Sequence, residues 1–260
     1  MNKNLILIAV FLIMNATIFA QFADNPVIAH RGAWKTLNLP ENSLASLKQA
    51  IKLKCYGSEF DVRMTADDVL IINHDPHYHQ LDIEKTSYAE LLKLNLANGE
   101  KLPTLKEYLL AGSKKNKKTK LILEIKPSTI SKERGQLIAG KVMQLVQELG
   151  VQKKVVYISF DYDILLKLIE INLAIETQYL DGSKSPDELK SAGITGLDYH
   201  FSVFRNKPEW IQTAKKNKLV LNAWTVNLPE DMDFLLENNF DLITTDELEL
   251  LFKKLKDTKK

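Results

Sequence analysis

The feature that most constrains the fold is a regular alternation of short β-rich runs with amphipathic helical stretches between residues 27 and 255. No Gly-, Ser- or Pro-rich linker interrupts this alternation, which favours a single α/β domain. Nine runs are predicted to be strands: Val27–His30, Gly57–Val62, Val69–Asn73, Lys120–Ile125, Val155–Ser159, Ala174–Tyr179, Thr195–Tyr199, Leu219–Trp224 and Asp241–Thr245.

The connection between the second and third runs narrows the topology further. It is the turn Thr65–Asp68, which is too short for the dozen or more residues of a parallel crossover, so we expect an antiparallel hairpin. Without the return strand, eight strands remain in a chain of 260 residues, close to the roughly 250 residues of barrels with eight β/α units. The sequence therefore predicts a TIM-type (β/α)₈ barrel with a β-hairpin and a small insertion, residues 75–118, after the second barrel strand.

Helices are predicted between these strands, several of them opened by proline. The first is expected at Glu41–Lys54, with Pro40 marking its start. The others are expected at Ser87–Leu94, Leu105–Leu110, Gln136–Leu149, Tyr162–Ile171, Pro186–Ala192, Pro208–Asn217, Pro229–Asn238 and Glu247–Leu255. The lysine-rich stretch from Lys114 to Lys120 is more typical of a solvated loop than of an anion-binding patch.

Residues 1–20 have the layout of a secretory signal peptide: a lysine near the start, the apolar run Leu5–Met14, and smaller residues that end at Ala20. The run is shorter than the roughly 20 residues of a membrane-spanning helix. We expect cleavage after Ala20, export to a periplasmic or secreted location, a mature domain of residues 21–260 and no stable membrane span after cleavage. An uncleaved anchor is the alternative.

Charge and cysteine content exclude several classes of partner and site. The 35 basic and 33 acidic residues give a net charge of only +2, so a nucleic-acid partner is not expected. The single cysteine, Cys55, can form neither an internal disulfide nor a cysteine-based zinc site. A bound metal would therefore have oxygen or imidazole ligands. The sequence does not indicate an oligomeric state.

Two acidic residues occur within the second predicted strand. Glu59 and Asp61 are two positions apart, so the alternation of a strand directs both side chains to the same face. Either face of a strand in a closed barrel is buried, and burying paired carboxylates is costly unless a cation compensates them. A hard divalent ion is the simplest such cation.

A third acid, Glu124, interrupts the apolar strand Lys120–Ile125, and Lys126 shares its face. Three carboxylates at two strand ends suit Mg²⁺ or Ca²⁺ better than zinc. The alternative is that the acids only form ion pairs with the cationic residues nearby in the sequence, Arg31, Arg63 and Lys126.

Two histidines are expected beside these acids. With Ala66 and Asp67 at the hairpin tip, paired residue numbers sum to about 133, which places Glu59 opposite His74 and Asp61 opposite Ile72. His30 ends the first strand, at the same carboxyl-end rim where barrel enzymes place catalytic groups. Because imidazole titrates near neutral pH, both histidines suit general acid and base catalysis.

Several other residues near these strand ends could bind an anion. Arg31 and Lys126 provide positive charge, and the forked guanidinium of arginine matches a phosphate ester. Glu41 and Asn42 either cap the first helix or lie beside the metal and phosphate. Trp224 ends its strand, where it either packs in the core or contacts a ligand.

Five segments carry a resemblance to a known family: His30-Arg31-Gly32, Pro40-Glu41-Asn42-Ser43, Gly57-x-Glu59-x-Asp61-Val62 with Thr65-x-Asp67, His74-Asp75, and Glu124-Ile125-Lys126. Together with Ala223–Asn227 and Asp241–Asp246 they resemble the glycerophosphodiester phosphodiesterase family over nearly all of residues 21–260. The resemblance implies a barrel fold, one divalent cation, and hydrolysis of a small-molecule glycerophosphodiester to glycerol 3-phosphate and an alcohol.

The resemblance also implies roles for individual residues. The metal ligands would be Glu59, Asp61 and Glu124; the acid/base pair would be His30 and His74; phosphate or substrate contacts would come from Arg31, Lys126, Glu41, Asn42 and Trp224. The substrate's neighbouring 2-hydroxyl would attack phosphorus to give a cyclic phosphate, which water then opens. The sequence departs from the family pattern at Ser43, where threonine is usual, at Asp68, where glycine is usual, and in the compact insertion 75–118, which bears on the preferred alcohol.

Two other functions compete with this one. A phospholipase that acts on an intact lipid would need an apolar rim facing the membrane, for which residues 21–260 give little sign. A non-catalytic protein that binds phosphorylated polyols would bind a glycerophosphodiester and leave it intact.

Overall fold

The structure, a computed structural model, describes residues 22–257. Eight parallel strands form a closed barrel, accompanied by one antiparallel strand and a two-stranded ribbon. In chain order the strands are β1 (Val27–Ala29), β2 (Gly57–Met64), β3 (Leu70–Ile72), β4 (His77–Tyr78), β5 (Leu81–Asp82), β6 (Lys120–Ile125), β7 (Val155–Ser159), β8 (Glu176–Tyr179), β9 (Gly196–His200), β10 (Val220–Trp224) and β11 (Leu242–Thr245).

The order of neighbouring strands establishes closure. The parallel ladder runs β1-β2-β6-β7-β8-β9-β10-β11, and β11 pairs with β1 to close the barrel. All nine strands predicted from the sequence are present, with ends within two residues of the predicted ones. The predicted (β/α)₈ barrel with a hairpin after its second strand is therefore confirmed.

Helices pack around the outside of the barrel. They are α1 (Leu44–Leu53), α2 (Tyr88–Leu91), α3 (Leu105–Ser113), α4 (Lys132–Glu148), α5 (Tyr162–Ile171), α6 (Pro186–Ser191), α7 (Phe201–Asn206), α8 (Glu209–Lys216), α9 (Pro229–Glu237) and α10 (Leu248–Asp257). Short 3₁₀ turns occur at Ile83–Lys85 and Gln152–Lys154.

The alternation of the strands divides the apolar residues between two layers. On β6, Leu121, Leu123 and Ile125 belong to the core between barrel and helices, whereas Ile122 belongs to the barrel interior. The interior cluster contains Ile28, Ile122, Val156, Ile158, Leu180 and Leu242. Glu124 lies two residues after Ile122 on β6, so its side chain also points into the barrel. The barrel interior is therefore apolar near Ile122 and becomes charged towards the carboxyl ends of the strands.

Helix α1 begins three residues later than predicted. Its N-cap is Ser43, whose hydroxyl accepts a hydrogen bond from the Ser46 amide at 3.0 Å, while the Ser46 hydroxyl accepts one from the Ser43 amide at 3.2 Å. Asn42 has a φ of 57°, which excludes it from a right-handed helix. The prediction that Pro40 opens the helix was therefore wrong, and Glu41 and Asn42 lie in the loop before it.

The register of the hairpin also differs from the prediction. Val62 pairs with Ile72, so paired residue numbers sum to 134, and Asp61 accepts a backbone hydrogen bond from Asn73 instead of facing Ile72. The cause is a three-residue loop, 66–68, that ends at Asp68 with a φ of 63°. Glu59 therefore does not face His74 across the ladder.

The position of β3 explains how the hairpin nonetheless returns towards the first strand. Val62 pairs with Ile125 of β6 and with Ile72 of β3, so β3 lies on the other edge of β2. That is the edge to which β1 pairs lower down, through Ala29 and Ser58. The residues that follow β3 therefore lie near the carboxyl end of β1.

The insertion has a small core of its own, formed by Ile71, Tyr78, Ile83, Leu91 and Leu102. Its buried Glu84 accepts hydrogen bonds from the Ser128 hydroxyl at 2.6 Å and the Thr129 amide at 3.0 Å, and pairs with Arg134. These bonds attach the insertion to the loop that follows β6.

Some predicted boundaries were wrong. Helix α2 is only four residues long, α3 extends to Ser113, and α4 begins at Lys132 because Ser131 caps it. Helix α7 was not predicted. Lys120 does not belong to a solvated lysine loop, because it is buried on β6 and pairs with Glu176 at 2.5 Å.

Between residues 22 and 257, no helix has both the length and the apolar character needed to span a membrane. The predicted signal peptide, residues 1–20, lies outside the described residues.

Candidate active site

Three acidic side chains converge inside the barrel mouth and are called the acidic cluster below: Glu59 and Asp61 on β2, and Glu124 on β6. Asp61 and Glu124 are direct neighbours across the β2–β6 ladder, and Glu59 precedes Asp61 on the same face. All three are buried, with exposed fractions of 3%, 1% and 6% in that order. The strand alternation read from the sequence thus places the three acids together.

The acidic cluster contains oxygens that the protein does not satisfy. Glu59 Oε1, Asp61 Oδ1 and Glu124 Oε1 are buried and have no hydrogen-bond partner among residues 22–257. One candidate ligand atom from each residue lies within 4.8 Å of the others. Because native proteins pair most of their buried polar atoms, three unpaired oxygens that converge indicate a ligand site.

Two cationic side chains partly compensate the cluster. Lys126 Nζ lies 2.7 Å from Glu124 Oε1 and 3.2 Å from Asp61 Oδ1, although the angles are not those of hydrogen bonds. The Nε atom of Arg31 is 3.8 Å from Asp61 Oδ2. The Nη1 atom of Arg31 donates a hydrogen bond to Glu41 Oε2 at 2.6 Å. Ion pairing therefore exists but leaves an excess of acid, because two cations serve four carboxylates.

The pKa values of the three acids in the cluster are shifted in different directions from their ordinary values. Burial, then the charges of Asp61 and Glu124, raise the pKa of Glu59 well above its ordinary value. Burial and Asp61 raise the pKa of Glu124 to about 7, against the opposing effect of Lys126. The pKa of Asp61 is lowered to about 2, because Lys126 and other neighbours outweigh the effect of burial. Further positive charge at the cluster would favour the state in which all three carboxyl groups are ionised.

The loop after β1 holds Arg31 and Asn42 against the acids. Arg31 has a φ of 53° and donates its amide to Glu59 at 2.7 Å. Asn42 donates its side-chain amide to Asp61 Oδ2 at 2.8 Å and accepts from the Asp61 backbone at 3.1 Å. Gly32 permits this path, since a Cβ there would lie 2.4 Å from the hydroxyl of Ser46.

His30 lies just beyond β1 within a set of hydrogen bonds called the His30 network below. Its Nδ1 donates to Asp246 Oδ1 at 2.9 Å, and Trp34 Nε1 donates to the same oxygen at 3.3 Å. Asn227 donates to Asp246 Oδ2 at 2.8 Å. The bond to Asp246 requires the proton on Nδ1, which leaves Nε2 of a neutral His30 as an acceptor.

His74 approaches from the loop after β3 and is more exposed. Its Nδ1 bonds to Asp75 at 2.8 Å, and its backbone carbonyl accepts from Arg63 Nε at 2.9 Å. Burial lowers the pKa of His74, and the cations Lys126 and Arg31 add to this, against the effects of Asp61 and Asp75. Arg63 therefore supports the His74 loop and makes no ion pair with the acidic cluster.

One cavity of about 100 Å³ connects these groups and is called the reaction cavity below. Its lining includes the polar residues His30, Arg31, Glu59, His74, Glu124 and Lys126, together with Ile158, Phe160, Leu180, Asp198 and Trp224. The Trp224 ring packs edge-on against Phe160 at 5.3 Å. A wider groove of about 770 Å³ lies where the strands begin, lined by Asn25, Tyr56 and Phe252, away from these acids and histidines.

The structure brings together the ten site residues predicted from the sequence. Two of them contact the acidic cluster differently from the others: Glu41 bonds to Arg31, which lies beside the cluster, and Asn42 bonds to Asp61. Sequence reasoning gave no role to Asp246, Asp75 or Asp198. Asp75 and Asp246 were part of the resembling segments, but nothing local indicated their bonds to the histidines. Asp198 is fully buried, and burial, then the charge of Glu124, raises its pKa well above the ordinary value.

The donor set fits a hard divalent cation. Two oxygens bound to one ion at about 2.0–2.6 Å lie at most about 5 Å apart, which agrees with the 4.8 Å limit within the cluster. Within residues 22–257 the group comprises three carboxylates, with neither thiolate nor imidazole. The acidic cluster could therefore hold such an ion.

Comparisons with known proteins identify the family of this chain. Residues 30–250 match the model of the glycerophosphoryl diester phosphodiesterase family. A glycerophosphodiester phosphodiesterase of Caldanaerobacter subterraneus subsp. tengcongensis is 30% identical over 240 residues, which cover 86% of this chain and 95% of that protein.

Solved structures show the same barrel. The crystal structure of a glycerophosphodiester phosphodiesterase from Parabacteroides distasonis is similar with a TM-score of 0.87 and 42% identity, over 90% of this chain and 98% of that one. An Oleispira antarctica phosphodiesterase, described in complex with the product sn-glycerol-3-phosphate, has a TM-score of 0.78 at 24% identity, over 89% and 97% of the two chains.

The matched region contains the acidic cluster, both histidines and Asp246. The chain therefore belongs to the glycerophosphoryl diester phosphodiesterase family, and it is a phosphoric diester hydrolase that acts on glycerophosphodiesters.

Proposed function

We propose that the enzyme releases glycerol 3-phosphate and a free alcohol, that it uses one Mg²⁺ or Ca²⁺ ion, and that His30 and His74 move the protons. The observation that carries this proposal is the acidic cluster itself: three buried carboxylate oxygens without hydrogen-bond partners, at the cavity that both histidines line. Carboxylate oxygens are the ligands of hard divalent ions, so Glu59, Asp61 and Glu124 are assigned to the metal.

Arg31 and Lys126 bind the phosphate in this proposal. Both line the reaction cavity, and both retain their positive charge because the adjacent acids raise their pKa values despite partial burial. Glu41 orients the Arg31 guanidinium and Asn42 orients Asp61 through the bonds described above. When bound, the divalent ion supplies further charge stabilisation at the phosphate oxygens.

His30 acts as the base. Its Nε2 takes the proton of the substrate's 2-hydroxyl while that oxygen forms a bond to phosphorus. His74, in its protonated form, gives a proton to the departing alcohol oxygen as the second P–O bond breaks. The resulting cyclic phosphate is opened by water, which transfers one proton to a histidine, and the ring oxygen that leaves phosphorus is protonated by the other.

The test follows the product from defined substrates. The purified protein is incubated with glycerophosphocholine or glycerophosphoethanolamine, and glycerol 3-phosphate is measured by a coupled assay before EDTA, after EDTA, and after Mg²⁺ or Ca²⁺ is added back. We expect product that disappears with chelation and returns with one of the two ions.

Other outcomes distinguish the competing functions. Undiminished turnover in EDTA would contradict the metal assignment. A folded protein that yields no product with either ion would contradict the proposed substrates. Lipid diesters would then test for a phospholipase, and tight binding of intact glycerophosphocholine would indicate a binding protein.

We also propose that the protein is exported. The proposal rests on the sequence of residues 1–20 alone. Fractionation of producing cells, with the intact mass of the protein in each fraction, tests it. A chain that begins at Gln21 in the exported fraction is expected, and a chain that retains residues 1–20 in the cytoplasm would contradict it.

A further inference from the structure

Asp198 is a buried acid that the proposed reaction does not use. It lies on β9, is 1% exposed, and its Oδ1 has no hydrogen-bond partner among residues 22–257. Asp198 is nevertheless one of the residues that line the reaction cavity. Because interiors rarely retain an unpaired carboxyl oxygen, its presence at a cavity wall points to a partner that arrives with the substrate.

The surroundings of Asp198 differ from those of the acidic cluster. The cavity lining from β7, β8 and β10 comprises Ile158, Phe160, Leu180 and Trp224, none of which carries a charge. Trp224 Nε1 donates to the Asp198 backbone carbonyl at 2.8 Å, which holds the indole beside this acid. The cavity therefore has a charged wall, which includes Arg31, Glu124 and Lys126, and an apolar wall, and Asp198 is the acid of the apolar wall.

The size of the cavity limits what can reach both walls. The cavity is small, with a volume of about 100 Å³. Arg31, Lys126 and Asp198 line the same cavity, so a group attached to a phosphate at the two cations can reach Asp198. A cavity of this size favours a short polyol arm over a lipid chain.

We propose that Asp198 binds the free terminal hydroxyl of the substrate's glycerol arm and so selects glycerol esters over diesters that lack this hydroxyl. This inference rests on the proposed function. A carboxyl group accepts a hydrogen bond from a hydroxyl, and Asp198 has a buried oxygen available for one. The glycerol arm is the part that all substrates of the class share, so an enclosed wall suits it, while the variable alcohol extends towards the open mouth.

The test compares two substrates in four proteins. The substrates are glycerophosphocholine and its analogue with a propane-1,2-diol arm, which keeps the attacking 2-hydroxyl and lacks the terminal one. The proteins are wild type, Asp198→Leu, Asp198→Asn and Thr177→Val. Thr177 is the matched control, because its Oγ1 is also buried without a partner but does not line the reaction cavity.

Wild type should prefer glycerophosphocholine by about 100-fold in kcat/KM, since a site built to bind a hydroxyl rejects an analogue without it. Asp198→Leu should lose most of this preference. Its kcat/KM for glycerophosphocholine should fall about 100-fold, and its kcat/KM for the propane-1,2-diol analogue should not change. Asp198→Asn, which still donates and accepts, should keep a preference within about tenfold of wild type. Thr177→Val should leave the preference unchanged.

Three results would overturn the inference: an equal loss on both substrates in Asp198→Leu, a loss confined to choline-containing substrates, or a wild type that does not discriminate. A wild type that hydrolyses neither substrate would instead contradict the proposed function.

Inhibition of wild type covers the case in which the variants do not fold. Glycerol 3-phosphate should inhibit at least about tenfold more strongly than propane-1,2-diol 1-phosphate. Equal inhibition by the two monoesters would contradict a role for Asp198 in binding the hydroxyl.

Discussion

The acidic cluster and the His30 network lie at the same barrel mouth but differ in how far the protein satisfies their polar atoms. Each acid of the cluster retains one buried oxygen without a hydrogen-bond partner among residues 22–257, although Lys126 forms ion pairs with two of these oxygens. In the His30 network, the Asp246 carboxylate accepts hydrogen bonds from the side chains of His30, Trp34 and Asn227. The side-chain oxygen of Asn227 in turn accepts a hydrogen bond from the backbone amide of Asp246 at 2.9 Å. An unsatisfied cluster indicates where a ligand enters, whereas a satisfied network holds one side chain in a fixed orientation.

The two regions should therefore respond differently to substitution. Loss of an acid from the cluster removes a ligand and relieves repulsion between buried charges. Loss of a member of the His30 network leaves hydrogen-bond donors unpaired, which costs about 1–3 kcal/mol for each buried group. Activity and stability should change in opposite directions in the first case and in the same direction in the second.

The largest effect is expected in the acidic cluster. Glu124→Gln should lower kcat/KM at saturating Mg²⁺ or Ca²⁺ by about 1000-fold, because a ligand charge is lost where several kcal/mol of charge stabilisation is proposed. The same variant should unfold at an equal or higher temperature than wild type in EDTA, because Glu124 no longer repels Asp61. Metal titrations of activity and thermal unfolding in EDTA measure the two effects.

Glu170→Gln is the control, since Glu170 is an exposed acid on α5 that pairs only with Lys167. It should change neither quantity. A Glu124→Gln protein with full activity, or one that loses both stability and activity in EDTA, would contradict a metal-binding role for the cluster.

The next effect separates the two histidines. His30→Ala and His74→Ala should each lower kcat/KM for glycerophosphocholine by about 100- to 1000-fold, as expected for loss of a general base or a general acid. With a p-nitrophenyl ester of glycerol phosphate, whose leaving group departs without a proton, only His30→Ala should remain strongly impaired. Equal recovery of both variants, or recovery of neither, would contradict the assignment of base to His30 and acid to His74.

A smaller effect is expected from Asp246→Asn. Three donors converge on the Asp246 carboxylate, so an amide must direct its own NH₂ at one of them. We expect kcat/KM to fall by about 10- to 100-fold and the melting temperature to fall as well, because the proton and the orientation of His30 are no longer fixed. Steady-state kinetics and thermal unfolding measure both changes, and a fully active variant would show that the network does not position His30.

The cluster and the network also differ in how far the sequence could predict them. Glu59 and Asp61 are two residues apart on one strand, and Glu124 interrupts an apolar run, so the two-residue period of a strand was enough to place them on inward faces. The His30 network depends on a bond between residues 216 positions apart, for which no local pattern exists. Barrel closure alone brings β11 beside β1.

Loop conformation accounts for the other failures of prediction. Asp68 and Asn42 both have positive φ, which shifts the hairpin register by one residue and delays the start of α1. Neither residue is a glycine, so the sequence did not indicate a positive φ at either position. Asp198 could have been found, because an acid between Leu197 and Tyr199 on a predicted strand is the same signal that identified Glu124.

The smallest expected effect concerns the more exposed histidine. The hydrogen bond from His74 to Asp75 raises the pKa of His74 and opposes the lowering caused by burial and nearby cations. Asp75→Asn should therefore lower the pKa of His74 further. Because a general acid acts only when protonated, the alkaline limb of the kcat/KM profile should move to lower pH, by about half a unit.

This shift would reduce activity about threefold at pH values above the limb and leave the acidic side of the profile almost unchanged. Asp163→Asn, which removes an exposed acid paired with Lys132 on the outside of the barrel, should leave the whole profile in place. An acidic limb that moves to lower pH, with the alkaline limb left in place, would mean that His74 acts in its neutral form, as a base. A profile lowered equally at every pH would mean that Asp75 only supports the loop after β3. Asp75 and Asp246 would then both position a histidine, and they would differ only in location.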